Sequence, residues 1–171
     1  MRNTTPIKAA IVTISDTRKR DNDTSGERLA ELLAGIGAEL VDISIVTDDP
    51  DSISAKLSGL SQMPGVELVL TTGGTGLGPR DNTPEATRAV IEREAPGIAE
   101  AMRRETAGKT PMAMLSRGVA GTAGRTLIIN LPGSPKAVEE CFEVVRPVLR
   151  HAVDLLRGET AHRSEEDRDG N

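Results

Sequence analysis

Residues 71–87, TTGGTGLGPRDNTPEAT, combine residue types that could bind and transfer a charged group. Glycines stand at positions 73, 74, 76 and 78, and an acid, Asp81, follows them. Glycines let backbone N–H groups approach a ligand closely, and successive N–H groups bind anions. A helix that opens at Pro84 would add the positive end of its dipole. The segment therefore predicts a phosphate site, and a tight structural turn is the alternative that spacing leaves open.

Two aspartates, Asp48 and Asp81, follow apolar runs of the sequence. A phosphoryl-transfer site commonly holds Mg²⁺ with one or two carboxylates, since water and phosphate supply the other ligands. Asp49 precedes Pro50 and is predicted to cap a helix, which leaves Asp48 as the freer acid of its pair. Spacing alone also fits plainer roles: Asp81 as an acid in a first helical turn, and Asp48 as a turn residue.

Other catalytic patterns are missing from the sequence. The loop has no Gly-Lys-Ser/Thr, and Pro79 stands where the last glycine of a dinucleotide motif would be. Cys141 is the single cysteine, and neither His151 nor His162 is paired with a nucleophile. We therefore predict no hydrolase triad, no zinc site and no internal disulfide.

The elements that must position these residues alternate in type. Strands are predicted at residues 7–15, 39–46, 66–72, 112–116 and 126–131. Helices are predicted to start at Thr24, Asp49-Pro50, Thr83-Pro84, Ile98 and Ser134-Pro135; the third runs to about residue 94 and the fifth is kinked or split at Pro147. This alternation predicts a mainly parallel sheet with helices on both faces.

Ligands of such sheets bind at the carboxyl ends of the strands. The predicted strand ends bring together Ser15, Asp16, Asp48, residues 73–81, Ser116, Arg117 and residues 130–134. Ser134 also fits a helix cap. Arg80, Arg117 and Lys136 can each contact phosphate or remain solvated.

Composition narrows the class of protein. A chain of 171 residues suits one domain, predicted over residues 1–157, followed by a disordered tail over residues 158–171. The net charge of -5 and the single aromatic residue, a phenylalanine, weigh against nucleic-acid binding. No apolar run reaches the roughly 20 residues of a membrane span, and the lone cysteine fits a cytoplasmic location.

Four segments together resemble the MogA/MoaB family, which includes the G domain of gephyrin. They are VTISDT with DTSG, TTGGTGLGPRDNTPEAT, MLSRGVAG and GRTLIINLPGSPKAV, and the resemblance extends over about residues 7–157. It implies a three-layer α/β/α domain of the MoaB/Mog type that forms homotrimers. It also implies molybdopterin adenylyltransferase activity, in which AMP passes from Mg-ATP to molybdopterin and pyrophosphate is released.

The resemblance also implies roles for individual residues. Asp48 and Asp81 match the family's functional aspartates and are the predicted Mg²⁺ ligands. Thr106 keeps the hydroxyl of a serine found in some relatives, and Asn82 stands where many relatives carry an apolar residue. The predicted substrate-binding set is Ser15, Asp16, Thr72, Gly73, Gly74, Thr75, Gly76, Thr106, Ser116, Arg117, Asn130, Pro132, Gly133 and Ser134.

Three other functions remain open at this point. The chain could bind molybdopterin without adenylylating it, as a MoaB-type protein. It could serve as a trimeric assembly module that contacts other molybdenum cofactor enzymes, although no second fused domain is predicted. Generic nucleotide or phosphosugar binding is the third alternative, and it requires that the four matching segments be set aside.

Overall fold

A six-stranded sheet between two helical layers forms the described part of the chain, residues 5–159, in the computed structural model. The strands are β1 (Lys8–Ile14), β2 (Glu39–Val46), β3 (Leu68–Thr72), β4 (Arg93–Glu94), β5 (Ala120–Ala123) and β6 (Thr126–Leu131). The α-helices are α1 (Thr24–Gly35), α2 (Pro50–Gln62), α3 (Thr83–Arg88), α4 (Pro96–Ala107) and α5 (Pro135–Arg157). Short 3-10 helices occupy Arg20–Asn22 and Pro111–Leu115. The predicted tail lies outside the described residues from position 160 onward.

The strand order is β2-β1-β3-β6-β5-β4. The first four strands in this order run parallel, whereas β5 is antiparallel to β6 and β4 is antiparallel to β5. Every residue of β3 and β6 is buried, because helices cover both faces of the central sheet. The predicted three-layer α/β/α architecture with a mainly parallel sheet is confirmed.

Two apolar layers hold the sheet between the helices. The layer against α1, α4 and α5 includes Leu29, Met102 and Phe142, and Phe142 is completely buried. The layer against α2 and α3 includes Ile53 and Ile128. Aliphatic side chains therefore build almost the whole core, as the composition requires.

The predicted strand at residues 112–116 is wrong. Pro111–Leu115 is a 3-10 helix with no buried residue, and the hydroxyl of Thr110 accepts a hydrogen bond from the Met112 amide at its start. Its methionines mimic a strand pattern but are exposed, Met112 by 62% and Met114 by 71%. The sheet instead uses β5, whose small residues, AGTA, carried no strand signal.

Four helices also differ from the prediction, and α4 begins at Pro96, two residues before the predicted Ile98. Asp23, not Thr24, caps α1, because its carboxylate accepts the Gly26 amide. Helix α3 ends at Arg88, since the chain beyond it pairs with β5 through β4. Helix α5 is one continuous helix of 23 residues through Pro147, with core residues on both sides of the proline. The predicted caps at Asp49 and Ser134 are confirmed.

Candidate functional site

The glycine loop after β3 depends on two residues with positive φ. Gly73 has φ 101° and Gly74 has φ 64°. A Cβ atom on Gly73 would overlap the carbonyl oxygen of Ile14, and one on Gly74 would overlap the hydroxyl of Thr83. The loop can therefore pack between β1 and the start of α3 only because side chains are absent at both positions.

The amides of this loop fall into two groups. The Gly73 amide donates to the carbonyl of Leu131, 3.2 Å away, and the Gly78 amide donates to Asp81. The amides of residues 74–77 donate to no acceptor among the described residues 5–159. Four consecutive N–H groups thus remain available, which is the arrangement that an anion site requires.

Both predicted catalytic acids border this loop. The Asp81 Oδ2 atom accepts the Gly78 amide at 2.7 Å and would lie 2.9 Å from a Cβ atom on Gly76. The Asp48 Oδ1 atom would lie 3.4 Å from a Cβ atom on Gly74. Asp81 lies before Asn82, the N-cap of α3, so it is not the first-turn acid that spacing allowed, and its structural contact is with the loop. Each acid keeps one carboxylate oxygen without a donor among the described residues.

Asp16 and Asp48 hold each other through reciprocal hydrogen bonds. The Asp16 amide donates to Asp48 Oδ2 at 2.8 Å, and the Asp48 amide donates to Asp16 Oδ1 at 3.0 Å. Arg80 then donates to Asp16 Oδ2 from Nη2 at 2.6 Å and from Nε at 2.9 Å. The loops after β1, β2 and β3 are joined in this way at one sheet edge.

The two aspartates differ in electrostatics. Burial raises the pKa of Asp48, and the negative charges of Asp16 and Asp81 act in the same direction. The hydrogen bond from the Asp48 backbone lowers the pKa of Asp16, and Arg80 lowers it further. A cation at Asp48 would offset the repulsion among these carboxylates.

The Arg117 side chain forms hydrogen bonds with the glycine loop and does not remain fully solvated. Its Nε donates to the carbonyl of Gly76 at 2.7 Å, and its Nη2 donates to the carbonyl of Asp81 at 2.5 Å. Its Nη1 pairs with Glu85, and its amide donates to the carbonyl of Thr75. This guanidinium therefore positions both ends of the segment that carries Asp81.

A cavity of about 290 Å³ lies on the other side of the loop, between α4, α5 and the 3-10 helix Pro111–Leu115. Its walls are mostly apolar. Six predicted substrate-binding residues line it together: Thr75, Gly76, Thr106, Ser116, Asn130 and Pro132. The acids do not line it, so residues 75–77 form a wall shared by the cavity and the acid-bordered edge.

Two polar residues of the cavity also have structural partners. The Thr106 hydroxyl donates to the carbonyl of Met102 at 2.7 Å. The Asn130 amide nitrogen donates to Thr71 and Thr87, and its oxygen accepts the Val119 amide. The side-chain donors and acceptors of Asn130 are thus engaged within the protein.

The remaining predicted residues lie around the loop and outside the cavity. The Thr72 hydroxyl donates to the carbonyl of Pro132, and Ser134 caps α5. Ser15 accepts the amides of Thr17 and Arg18. Ser116, which does line the cavity, follows a 3-10 helix and not the predicted strand. The predicted set therefore divides into a cavity group and a sheet-edge group.

Sequence reasoning missed several residues of this site. Arg18 donates to the carbonyl of Gly133 and so joins the loops after β1 and β6. Glu140 and Cys141 line the cavity from α5. Their only sequence signal is the helical spacing with Ala137, which places all three on one side of α5.

Across residues 5–159, no three His, Cys, Asp or Glu side chains gather closely enough to hold a metal ion by themselves. None of the helices in this part of the chain is both long and apolar enough to cross a membrane.

Sequence comparison places residues 10–151 in the family described as "Probable molybdopterin binding domain". The chain is 44% identical over 153 residues to the molybdenum cofactor synthesis protein cinnamon of Drosophila melanogaster, covering 88% of this chain but 26% of that protein. It is 38% identical over 156 residues to a molybdopterin adenylyltransferase of Helicobacter pylori, covering 89% of each chain. A molybdenum cofactor biosynthesis protein B of Bacillus cereus is 39% identical over 150 residues, or 85% of this chain and 88% of that one.

Structure comparison agrees with these relationships. The molybdopterin biosynthesis enzyme MoaB of Thermus thermophilus superposes with a TM-score of 0.82 at 49% identity, covering 89% of this chain and 97% of that one. The Mog protein of Mycobacterium ulcerans superposes with a TM-score of 0.81 at 39% identity, covering 87% and 98%. The chain therefore belongs to the MoaB/Mog family of molybdenum cofactor biosynthesis proteins.

Proposed function

We propose that this protein is a molybdopterin adenylyltransferase, which transfers AMP from Mg-ATP to molybdopterin and releases pyrophosphate. The observation that carries the proposal is the shared wall at residues 75–77, with a ring-sized cavity on one side and an acid-bordered anion loop on the other. Two substrates placed on either side would meet at this wall. The relative from H. pylori that bears this enzyme name aligns over 89% of each chain.

The reaction needs no nucleophile from the protein. A terminal phosphate oxygen of molybdopterin attacks the α-phosphorus of ATP and forms a new P–O bond. The bond from the α-phosphorus to the bridging oxygen breaks, and pyrophosphate leaves with that electron pair. The free amides of residues 74–77 hold phosphate oxygens, and the cavity holds the pterin. Positioning and charge stabilisation then supply most of the catalysis.

The acids fit a Mg²⁺ ion that arrives with ATP. Asp48 and Asp81 each offer one oxygen that lacks a donor among the described residues, and Mg²⁺ takes its other ligands from phosphate and water. This donor set explains why no complete protein cage is needed. When bound, the ion would screen the phosphate charges. Asp16 and Arg80 keep Asp48 in place for that contact.

Assembly and location extend the proposal. The unit is the single domain predicted over residues 1–157. A homotrimer is supported by the edge strand β2, where Val41 and Ile43 are 37% and 41% exposed. The single free cysteine supports a cytoplasmic location. Other molybdenum cofactor enzymes are proposed partners, because the activated pterin must pass to an enzyme that consumes it.

The variant Asp81→Asn tests the proposed activity. Asparagine keeps an oxygen that can accept the Gly78 amide but removes the charge, so the fold should persist while pyrophosphate release falls by about 100-fold or more. The assay mixes protein, Mg-ATP and molybdopterin. Asp51→Asn, which changes an exposed acid in the first turn of α2, is the matched control.

The outcomes separate the proposal from its nearest rival. Near-normal turnover by Asp81→Asn would remove that residue from the mechanism. If the unmodified protein binds molybdopterin but releases no pyrophosphate with Mg-ATP, the function is that of a MoaB-type pterin-binding protein without adenylylation.

A further inference from the structure

The cavity is nearly apolar but holds two charged side chains, Arg103 and Glu140. The Arg103 Nη1 atom donates to the carbonyl of Gly118 at 2.9 Å and to that of Ser116 at 3.4 Å. Arg103 is therefore part of the wall. In the described part of the chain, Glu140 has no comparable hydrogen bonds to the cavity wall.

Glu140 has no hydrogen-bond donor among the described residues. Its side chain is 15% exposed, and the nearest cation, Lys109 Nζ, lies 4.0 Å away, at the outer limit of an ion pair. Its carboxylate oxygens are not among the fully buried atoms that lack a partner, so they remain accessible and can accept hydrogen bonds from a ligand in the cavity. Its position in a cavity wall indicates that a ligand supplies the missing donors.

The position of Glu140 along α5 gives the direction of that ligand. The helix starts beside the glycine loop, since a Cβ atom on Gly133 would lie 3.4 Å from the Cα atom of Gly73. Glu140 lies six residues beyond the cap Ser134, or about 9 Å along the helix axis. A ligand whose phosphate lies at the loop would thus bring its far end to Glu140.

We propose that Glu140 is a specificity-determining residue that binds the aminopyrimidinone edge of the pterin through its carboxylate, and this inference rests on the proposed function. That edge presents a ring N–H and an exocyclic amino group side by side. A carboxylate accepts both in a bidentate pair, as it does from an arginine fork. Adenine offers a donor beside an acceptor instead. Glu140 therefore favours the pterin over the adenine of ATP in the cavity.

The test compares two probes that differ at this edge. One is 6-hydroxymethylpterin phosphate, and the other is the corresponding lumazine, in which an oxo group replaces the amino group. Binding of each is measured by calorimetry to the unmodified full chain, to Glu140→Gln and to Glu139→Gln. Glu139 is the matched control, because it lies next to Glu140 on α5 but is 49% exposed and pairs with Arg28.

The expected result is a pterin preference of about tenfold or more in the unmodified chain, since the amino group donates to a charged acceptor. Glu140→Gln should abolish this preference, and Glu139→Gln should keep it. A general loss of stability would weaken both probes together, so only the ratio reports the contact.

The failing outcomes are distinct. If the unmodified chain binds the two probes equally, or if Glu140→Gln retains the preference, Glu140 does not read the pterin edge, while the proposed function stands. If neither the pterin probe nor molybdopterin binds the unmodified chain, the proposed function fails as well.

Discussion

Replacing Gly73 by alanine should damage the protein through two separate effects. Gly73 has φ 101°, a conformation that residues with a Cβ atom adopt at a cost. The new Cβ atom would also overlap the carbonyl oxygen of Ile14. That oxygen cannot move away easily, because Ile14 ends a strand held between β2 and β3 and the following amide is bonded to Val46.

Each effect contributes separately to the loss in the free energy of unfolding. The positive φ costs about 1–2 kcal/mol for a residue with a Cβ atom. The overlap adds about 1–3 kcal/mol, as for other forced insertions into packed sites. Gly73→Ala should therefore lower the free energy of unfolding by about 2–5 kcal/mol. Gly37→Ala is the matched control: Gly37 has φ 70° but no atom within 4 Å of its Cβ position, so only the first effect applies.

Urea unfolding followed by far-ultraviolet circular dichroism measures both variants. Each kcal/mol also lowers Tm by about 2–4 °C in a chain of this size. The Gly73→Ala loss should exceed the Gly37→Ala loss by about 1 kcal/mol or more. Equal losses would refute the close approach of the glycine loop to β1, and with it the positions inferred for the loop amides.

Two further predictions concern stability and pH. Burial raises the pKa of Glu67, but hydrogen bonds from Arg157 and from the Lys8 amide, together with the charges of Arg157 and Arg150, outweigh burial and lower the pKa. The stabilising contribution of Glu67 should therefore disappear as the pH falls below 4.5. Glu67→Gln should lower the free energy of unfolding at neutral pH by about 1–3 kcal/mol, as measured by urea unfolding. The control Glu143→Gln, in an exposed ion pair, should lower it by almost nothing. Equal effects would contradict the buried pairing of Glu67 with Arg157. Burial, with the nearby charge of Glu140, raises the pKa of Cys141 from 9.0 to about 11. Because the raised pKa leaves little thiolate at pH 8, the folded protein should react with thiol reagents more slowly than the unfolded chain. The contribution of Cys141 to stability should be complete below pH 9.0 and lost as the pH rises toward 11. Equal labelling rates for the folded and unfolded chains would contradict the raised pKa.

Local rules predicted much of the fold. Asp49-Pro50 and Ser134-Pro135 start helices as expected, because a capping side chain followed by proline satisfies a helix start without help from distant residues. The strand predicted at residues 112–116 is wrong because its apolar methionines match a strand pattern in the sequence but are exposed in the structure. Burial, which depends on tertiary packing, decides between a strand and an exposed turn. Strand β5 was not predictable, because its small residues carry no strand pattern and form a strand only by pairing with β6.

The acid-bordered edge of the candidate site was predictable from the sequence, whereas the cavity was not. The rule that parallel strands end at one edge placed Asp48 and Asp81 beside the glycine loop, and both border it in the structure. The cavity was not predictable, because α4, α5 and a 3-10 helix form it through tertiary packing. Glu140 has no motif of its own. Only the packed helices bring it to a cavity wall.

The nearly aromatic-free core has a practical consequence for studying the site. Phe142 is buried, and the chain contains no tryptophan or tyrosine, so the polypeptide contributes almost no near-ultraviolet absorbance or emission. Pterin rings absorb and fluoresce in that region. The fluorescence of a pterin bound between α4 and α5 would therefore be measured with almost no background from the protein. Binding can then be followed by absorbance or fluorescence in the unlabelled chain.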